Sequence, residues 1–331
     1  MIHDARPWYA VWMRLGIFAP TADLQAGRLA TTARQAGHDV VWRDLSGLVR
    51  GEGWAIDLQT GRVACDAGEA GTVDAWVLFR VPGPVARLAP PGVQLSSEEW
   101  FVLAQRQADR AALAWSVVSA QEDRGVPVLS SPSRARPFDA KPRQLAAFVQ
   151  AALPVPRTVI TNDPVVARAF VASLPTGASA VKKPVTGGRP AEPFDDVQLA
   201  ALRDTPVILQ ERIMGDDVRV VVVGGVVVGA GRYVVPKDVV DVRLAPGFVD
   251  GSLRPQPVAL PAHVRDASVI AAAACAYDVA GLDWKVTHDG RYHLLEANRT
   301  PVLLDLEDEL GIKVSERILA AAIARASHGE P

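Results

Sequence analysis

Gly281-Leu282-Asp283-Trp284-Lys285-Val286-Thr287-His288 and Arg291-Tyr292-His293-Leu294-Leu295-Glu296-Ala297-Asn298 are separated only by Asp289-Gly290, a dipeptide suited to the two-residue turn of a β-hairpin. Such a turn pairs His288 with Arg291. Counting outward sets Asp283 opposite Glu296 on one face, with Cβ atoms about 5 Å apart. Carboxylates that close repel unless a proton or a cation lies between them, and Asn298, further along the same face, adds a neutral oxygen. Asp283, Glu296 and Asn298 therefore form a donor set for Mg2+, or for Mn2+ in its place. The competing reading is an ordinary surface ion cluster neutralised by Lys285, which shares that face, or by a nearby arginine.

A second hairpin turns at Gly224-Gly225 inside a valine-rich stretch. Pairing Val223 with Val226 places Asp217 opposite Arg232 and Arg219 opposite Ala230, so that charge gathers at one end of an apolar ladder. In isolation this is a structural salt-bridge network. Beside a nucleotide the preference reverses toward a functional cluster.

Bulk composition narrows the classes. A chain of 331 residues, 49% hydrophobic, suits two or three subdomains with ample burial. With 35 basic against 37 acidic residues it has no basic footprint for nucleic acid and no polybasic membrane arm. Cys65 and Cys275 lie outside any paired-spacing motif, which fits a reducing compartment and excludes a cysteine zinc site. The alanine-rich run Ala267–Tyr277 is too short to span a bilayer. Residues 1–12 lack the apolar core and cleavage site of a secretory signal, so the cytoplasm is the expected location.

Upstream, Met13–Phe18, a helix over Ala22–Ala36 and His38–Trp42 open as a βαβ unit. Asp74–Arg80 is a further buried strand, and Arg80 at its C-terminal end is either a contact for an anionic substrate or a surface ion pair. Ser96 and Glu99 form a capping box for a long helix running to Asp123 and stopped by Gly125. Helices over Lys141–Ala152 and Asp163–Leu174 alternate with strands at Pro156–Ile160, Ser179–Pro184 and Val207–Ile213; a short helix is expected near Asp196–Leu202, and Ser315–Ala326 closes the chain. Domain limits follow at 13–130, 131–206 and 207–331.

In order, Asp139-Ala140-Lys141, Val181-Lys182-Lys183-Pro184 with the loop Thr186-Gly187-Gly188, Gln210-Glu211-Arg212-Ile213, Gly215-Asp216-Asp217-Val218-Arg219 and Leu295-Glu296-Ala297-Asn298 resemble the motifs of the ATP-grasp ligases. The resemblance implies an α/β (α+β) fold in which a Rossmann-like pre-ATP-grasp domain precedes two α+β subdomains that clamp ATP. It assigns Lys141 and Lys183 to the phosphates, with strand alternation turning Lys182 away. Gly187 and Gly188 would let backbone N–H groups approach phosphate. The backbone of Gln210, Glu211, Arg212 and Ile213 matches the adenine linker, Asp217 a ribose position, and Arg219 and Arg232 the catalytic arginines at the γ-phosphate and acyl phosphate. The implied reaction is phosphorylation of a carboxylate by ATP, then attack of an amine or hydroxyl on the acyl phosphate, releasing ADP and phosphate.

Within that superfamily, Arg136–Pro164 and Glu296–Ile318 are most similar to ribosomal-protein glutamate ligases and to macrocyclases of microviridin-type (graspetide) biosynthesis. Arg299-Thr300-Pro301 and Arg189-Pro190 depart from the family pattern. The resemblance implies a peptide or amino-acid carboxylate as substrate, a leader peptide as a potential partner, and leaves a homodimer open. Two other readings stay open on sequence: a ligase of free amino acids, dipeptides or protein tails, and an ATP-binding sensor without ligation. A dehydrogenase and a P-loop kinase are disfavoured, since neither Gly-x-Gly-x-x-Gly nor Gly-x-x-x-x-Gly-Lys occurs.

Overall fold

Alternating apolar runs and helical periods resolve, in the computed structural model, into two compact units: residues up to Ser133 together with those from Ser315 onward, and residues Arg134–Val314. The structure describes residues 12–66, 68–69, 72–81, 94–186, 188–195 and 199–328. The last helix groups with the N-terminal unit.

The first unit contains strands β1 (Arg14–Phe18), helix α1 (Leu24–Gln35), β2 (Asp39–Arg43), α2 (Gly47–Arg50), β3 (Trp54–Ile56), β4 (Val63–Cys65), β5 (Gly68–Glu69), β6 (Ala75–Leu78), α3 (Ser97–Asp123) and β7 (Val128–Leu129). Its main sheet is parallel, in the order β2-β1-β6-β7. Parallel strands require crossovers, and α1 and α3 supply them. The capping box forms: Ser96 Oγ accepts from Glu99 N at 3.3 Å while Glu99 reaches back to Ser96 N at 2.8 Å. Phe18, Trp76, Val117 and Val118 are fully buried between sheet and helix.

After α4 (Pro132–Ala135), the second unit holds α5 (Lys141–Gln150), β8 (Thr158–Thr161), α6 (Pro164–Ala172), β9 (Ala180–Pro184), β10 (Glu192–Pro193), β11 (Val207–Glu211), β12 (Asp216–Val223), β13 (Val226–Tyr233), β14 (Gln256–Pro257), α7 (Ala262–Ala274), β15 (Val279–Val286), β16 (Tyr292–Asn298) and α8 (Leu304–Leu310). A final helix, α9 (Val314–His328), leads out of it. Of the short helix expected at 196–202, residues 196–198 lie outside the described residues, and a 3-10 turn occupies Ala200–Asp204.

Two antiparallel sheets make up this unit, β10-β9-β11-β8 and β14-β13-β12-β15-β16. In the larger, Val218, Val220, Val222, Leu282, Trp284 and Leu294 point to a core completed by α5 and α7. Each large apolar side chain buried there contributes roughly 2–3 kcal/mol. Strand alternation then sends the intervening residues, among them Asp217, Arg219, Asp283 and Lys285, to the opposite face.

Both hairpins depart from simple counting. In β15–β16 the loop has three residues, His288-Asp289-Gly290, with Thr287 N bonded to Arg291 O and Gly290 left-handed at φ 81°. Val286 therefore pairs with Tyr292, one residue out of the expected register. A bulge at Leu295, between Leu294 (opposite Trp284) and Glu296 (opposite Asp283), restores it. In β12–β13 the turn at Gly224-Gly225 forms as expected, Val223 facing Val226, but a bulge at Val228 shifts everything beyond it. Asp217 faces Tyr233, and Arg232 faces Val218, correcting the expected Asp217–Arg232 pairing.

Candidate active site

The face of the larger sheet turned away from α5 and α7 lines a cavity of about 390 Å³, with the smaller sheet contributing Val181, Lys183 and Gln210. Asp283 on β15 and Glu296 on β16 sit directly opposite each other in it. Asn298 Nδ2 lies 3.2 Å from an oxygen of each, so the three side chains converge on one point. Each carboxylate has its own cation: Arg219 Nε is 2.5 Å from Asp283 Oδ1, and Lys141 Nζ is ion-paired with Glu296 Oε2. Arg219 fits because Gly281 is opposite Asn298: a Cβ there would meet Pro301 Cβ at 2.6 Å and Arg219 Nη1 at 3.1 Å.

Burial acts on both carboxylates and on Lys183. It pushes Asp283 above the usual carboxylate range, with the neighbouring Glu296 and Asp217 adding to the rise and Arg219 opposing it. Burial acts on Glu296 in the same sense but is outweighed by Lys141 and Lys183, so its carboxyl is held low. Lys183 is pulled below the ordinary lysine value, by burial first and by Lys141 as well. Two like-charged lysines and two like-charged carboxylates in one partly buried pocket favour a polyanion bridged by a divalent cation.

Lys183 Nζ donates to Gln210 Oε1 at 2.8 Å, and Gln210 Nε2 donates to Thr158 Oγ1 at 2.9 Å, which aims Lys183 into the cavity. Its neighbour Lys182 points to the other face, 3.4 Å from Glu192. Glu211, Arg212 and Ile213 follow along the cavity wall, Glu211 N bonding Arg157 O and Arg212 N bonding Ser179 O, both at 2.8 Å. The turn after them needs glycine, because at Gly215 (φ 155°) a Cβ would stand 2.1 Å from Val286 O. Asp217 lines the cavity too, raised by burial and countered by Lys285, whose Nζ is 2.8 Å away and whose side chain is only 5% exposed.

Three expected site residues are placed away from the cavity. Arg232 is on the sheet face of Val218 and Ala230, where it pairs with Asp216 and does not line the cavity; the Val228 bulge is the cause. Arg80 belongs to the first unit and pairs with Asp23 Oδ2, the N-cap of α1, at 3.2 Å. Gly188 is left-handed at φ 116° but is not a lining residue, and Gly187 lies outside the described residues.

Other lining residues carry no motif. Tyr233 enters through the same bulge and donates to Asp305, and burial followed by that bond raises its hydroxyl. Asp241 accepts from Ala191 N at 2.9 Å and from Arg243, which also donates to Arg189 O at 3.2 Å. The signal available for Asp241 was its role as N-cap of the turn Val242–Leu244. Among the described residues no cluster of three acidic, His or Cys ligands exists. The convergent set is two carboxylates and one amide, and Mg2+ fits it, because that ion binds through one or two carboxylates and completes its octahedron with waters and phosphate oxygens.

These features define an ATP-binding clamp, and the chain belongs to the RimK-like ATP-grasp domain family, whose pattern covers residues 139–322. It is an ATP-grasp ligase, of the ADP-forming class. Its backbone superposes on that of the ATP-grasp ligase PsnB complexed with minimal precursor, at TM-score 0.77 and 27% identity over 94% of this chain and 98% of that one. A PsnB structure complexed with minimal precursor, Mg and ADP gives TM-score 0.75 and 25% identity over 95% and 98%. The fold is shared with macrocyclase MdnC from Microcystis aeruginosa MRC, bound with precursor peptide MdnA, at TM-score 0.71 and 15% identity over 96% and 100%. No curated protein matches the sequence. Among the described residues no helix is long and apolar enough to cross a membrane.

Proposed function

We propose that this protein uses MgATP to activate a side-chain carboxylate of a ribosomally made peptide and joins it to an amine or hydroxyl of the same peptide. The observation that carries this reading is the facing pair Asp283 and Glu296, each already held by a cation, in one cavity with Lys183. The peptide substrate is supported by the likeness to PsnB complexed with its precursor, at 27% identity over nearly the whole of both chains.

Lys141 and Lys183 would bind phosphate oxygens, Lys141 exchanging part of its bond to Glu296 for them. Asp283, Glu296 and Asn298 would hold Mg2+, Asn298 presenting its amide oxygen after a half-turn of its terminal group. When bound, the ion withdraws charge from the phosphates as the phosphoryl group moves. Arg219, fixed by Asp283, would meet the carboxylate oxygen that attacks the γ-phosphorus and later the phosphate that departs when the amine or hydroxyl attacks. The chain Glu211–Ile213 would present its backbone to adenine, with Asp217 near the ribose. No protein nucleophile is required, and Cys275, whose thiol burial pushes up to about 12, is inert. The two free cysteines fit a reducing cytoplasm.

The test is phosphate release from MgATP across a panel of acidic peptides rich in Thr, Ser and Lys, set against free amino acids, with product masses recorded. Peptide-dependent ADP formation with loss of one water per linkage is expected. Turnover with amino acids alone would move the protein to the free amino-acid ligases, and MgATP binding with no acceptor-dependent ADP release would make it a sensor.

A further inference from the structure

The strand that carries Glu296 and Asn298 is the edge of its sheet, and among the described residues no strand neighbours it beyond β15; on that side Leu294 N bonds Pro154 O at 2.9 Å. An edge strand leaves a row of backbone N–H and C=O groups without a ladder partner. Here the residue between the two ligands is gripped by a side chain: Gln144 Nε2 donates to Ala297 O at 2.7 Å, and Ala297 N donates to Gln144 Oε1 at 2.9 Å. A primary amide presents a donor and an acceptor side by side, so this one glutamine reproduces the two bonds of a strand partner. Gln144 is 3% exposed and Ala297 4% exposed, so water cannot replace the contact.

Gln144 sits on α5, one turn after Lys141, whose ammonium is paired with Glu296. At the head of that helix Arg299 grips Asp139 with two bonds, Nε–Oδ1 at 2.7 Å and Nη2–Oδ2 at 3.0 Å. Residues 139–144 and 296–299 are thus tied at three points, Asp139 to Arg299, Lys141 to Glu296 and Gln144 to Ala297.

We infer that Gln144 is a positioning residue for the metal site: by gripping both backbone groups of Ala297 it sets the spacing of Glu296 and Asn298 and their register against Lys141. This deepens the ligase reading and rests on it. Partners that orient metal ligands typically change metal affinity about 10–100-fold when lost.

The experiment titrates Mg2+ into protein with saturating ADP by calorimetry, and separately follows hydrogen exchange of residues 292–298 without nucleotide. Gln144→Met, of similar length but unable to make either bond, is expected to raise the Mg2+ concentration at half-saturation about 10–100-fold and to speed exchange at Ala297. Gln144→Glu keeps the acceptor for Ala297 N–H and should fall between, and it serves where the Met variant fails to fold. Leu145→Ala, a core truncation on the same helix, should lower Tm while leaving Mg2+ affinity within about twofold. Wild-type affinity and wild-type protection in a folded Gln144 variant would overturn the inference. Absence of Mg2+–ADP binding in the wild-type protein would defeat the ligase reading instead, and exchange at Ala297 would still decide whether the glutamine holds the strand.

Discussion

The two hairpins of the larger sheet carry the same kind of irregularity with opposite results. In β15–β16 the loop is one residue longer than its Asp-Gly signal implies, the Leu295 bulge compensates, and Asp283 faces Glu296 after all. In β12–β13 the turn is the expected one, the Val228 bulge has nothing to compensate, and Tyr233 takes the place across from Asp217 that counting assigns to Arg232. A turn dictates register only as far as the first extra residue, and one extra residue exchanges the faces of everything beyond it.

The largest effect should come where the compensated register matters most. Glu296→Gln and Asp283→Asn each remove a carboxylate proposed to hold Mg2+ and should cut peptide-dependent phosphate release on the order of 10²–10⁴-fold with the circular dichroism spectrum retained; unchanged rates would refute the site.

The second test separates the two hairpins directly. Arg219→Ala should slow turnover about 100-fold, whereas Arg232→Ala, losing a pair whose arginine is 43% exposed, should leave kcat within about twofold. Equal losses in steady-state assays would mean that the shifted register is wrong.

Stability should show the same contrast between faces. Lys285→Ala leaves Asp217 buried without its partner and should cost about 3 kcal/mol in denaturant unfolding. Lys182→Ala breaks only an ion pair at 3.4 Å with half-exposed Glu192 and should cost less than about 0.5 kcal/mol.

The smallest effect belongs to the turn. Gly225 has φ 75° and open space around it, so Gly225→Ala meets only backbone strain of about 1 kcal/mol, visible as a Tm lower by about 2–4 °C. A much larger drop would indicate that the turn, rather than the bulge, governs the register of β12–β13.

Much of the site was legible because its signals are local. Asp-Gly and Gly-Gly mark turns, alternation separates Lys183 from Lys182, and Ser96 with Glu99 caps a helix. Residues that act across long separations were not. Gln144 meets a strand more than 150 positions away, Tyr233 reaches the cavity only through a bulge, and Asp305 joins it from α8. Arg80 stood at a strand end, where ligands often collect, but the nearby helix cap Asp23 claims it.

Sequence alone determined the alternation of faces within each strand, the order of the longer strands and helices, and the residue types able to hold phosphate and a divalent ion, because these follow from chain period and side-chain chemistry over a few neighbouring positions. Tertiary structure decided which side chains meet: the bulges at Val228 and Leu295, the cation assigned to each carboxylate, and the glutamine that stands in for a missing strand. Those depend on how sheet and helices pack together, and packing is a property of residues brought close by folding, whatever their distance along the chain.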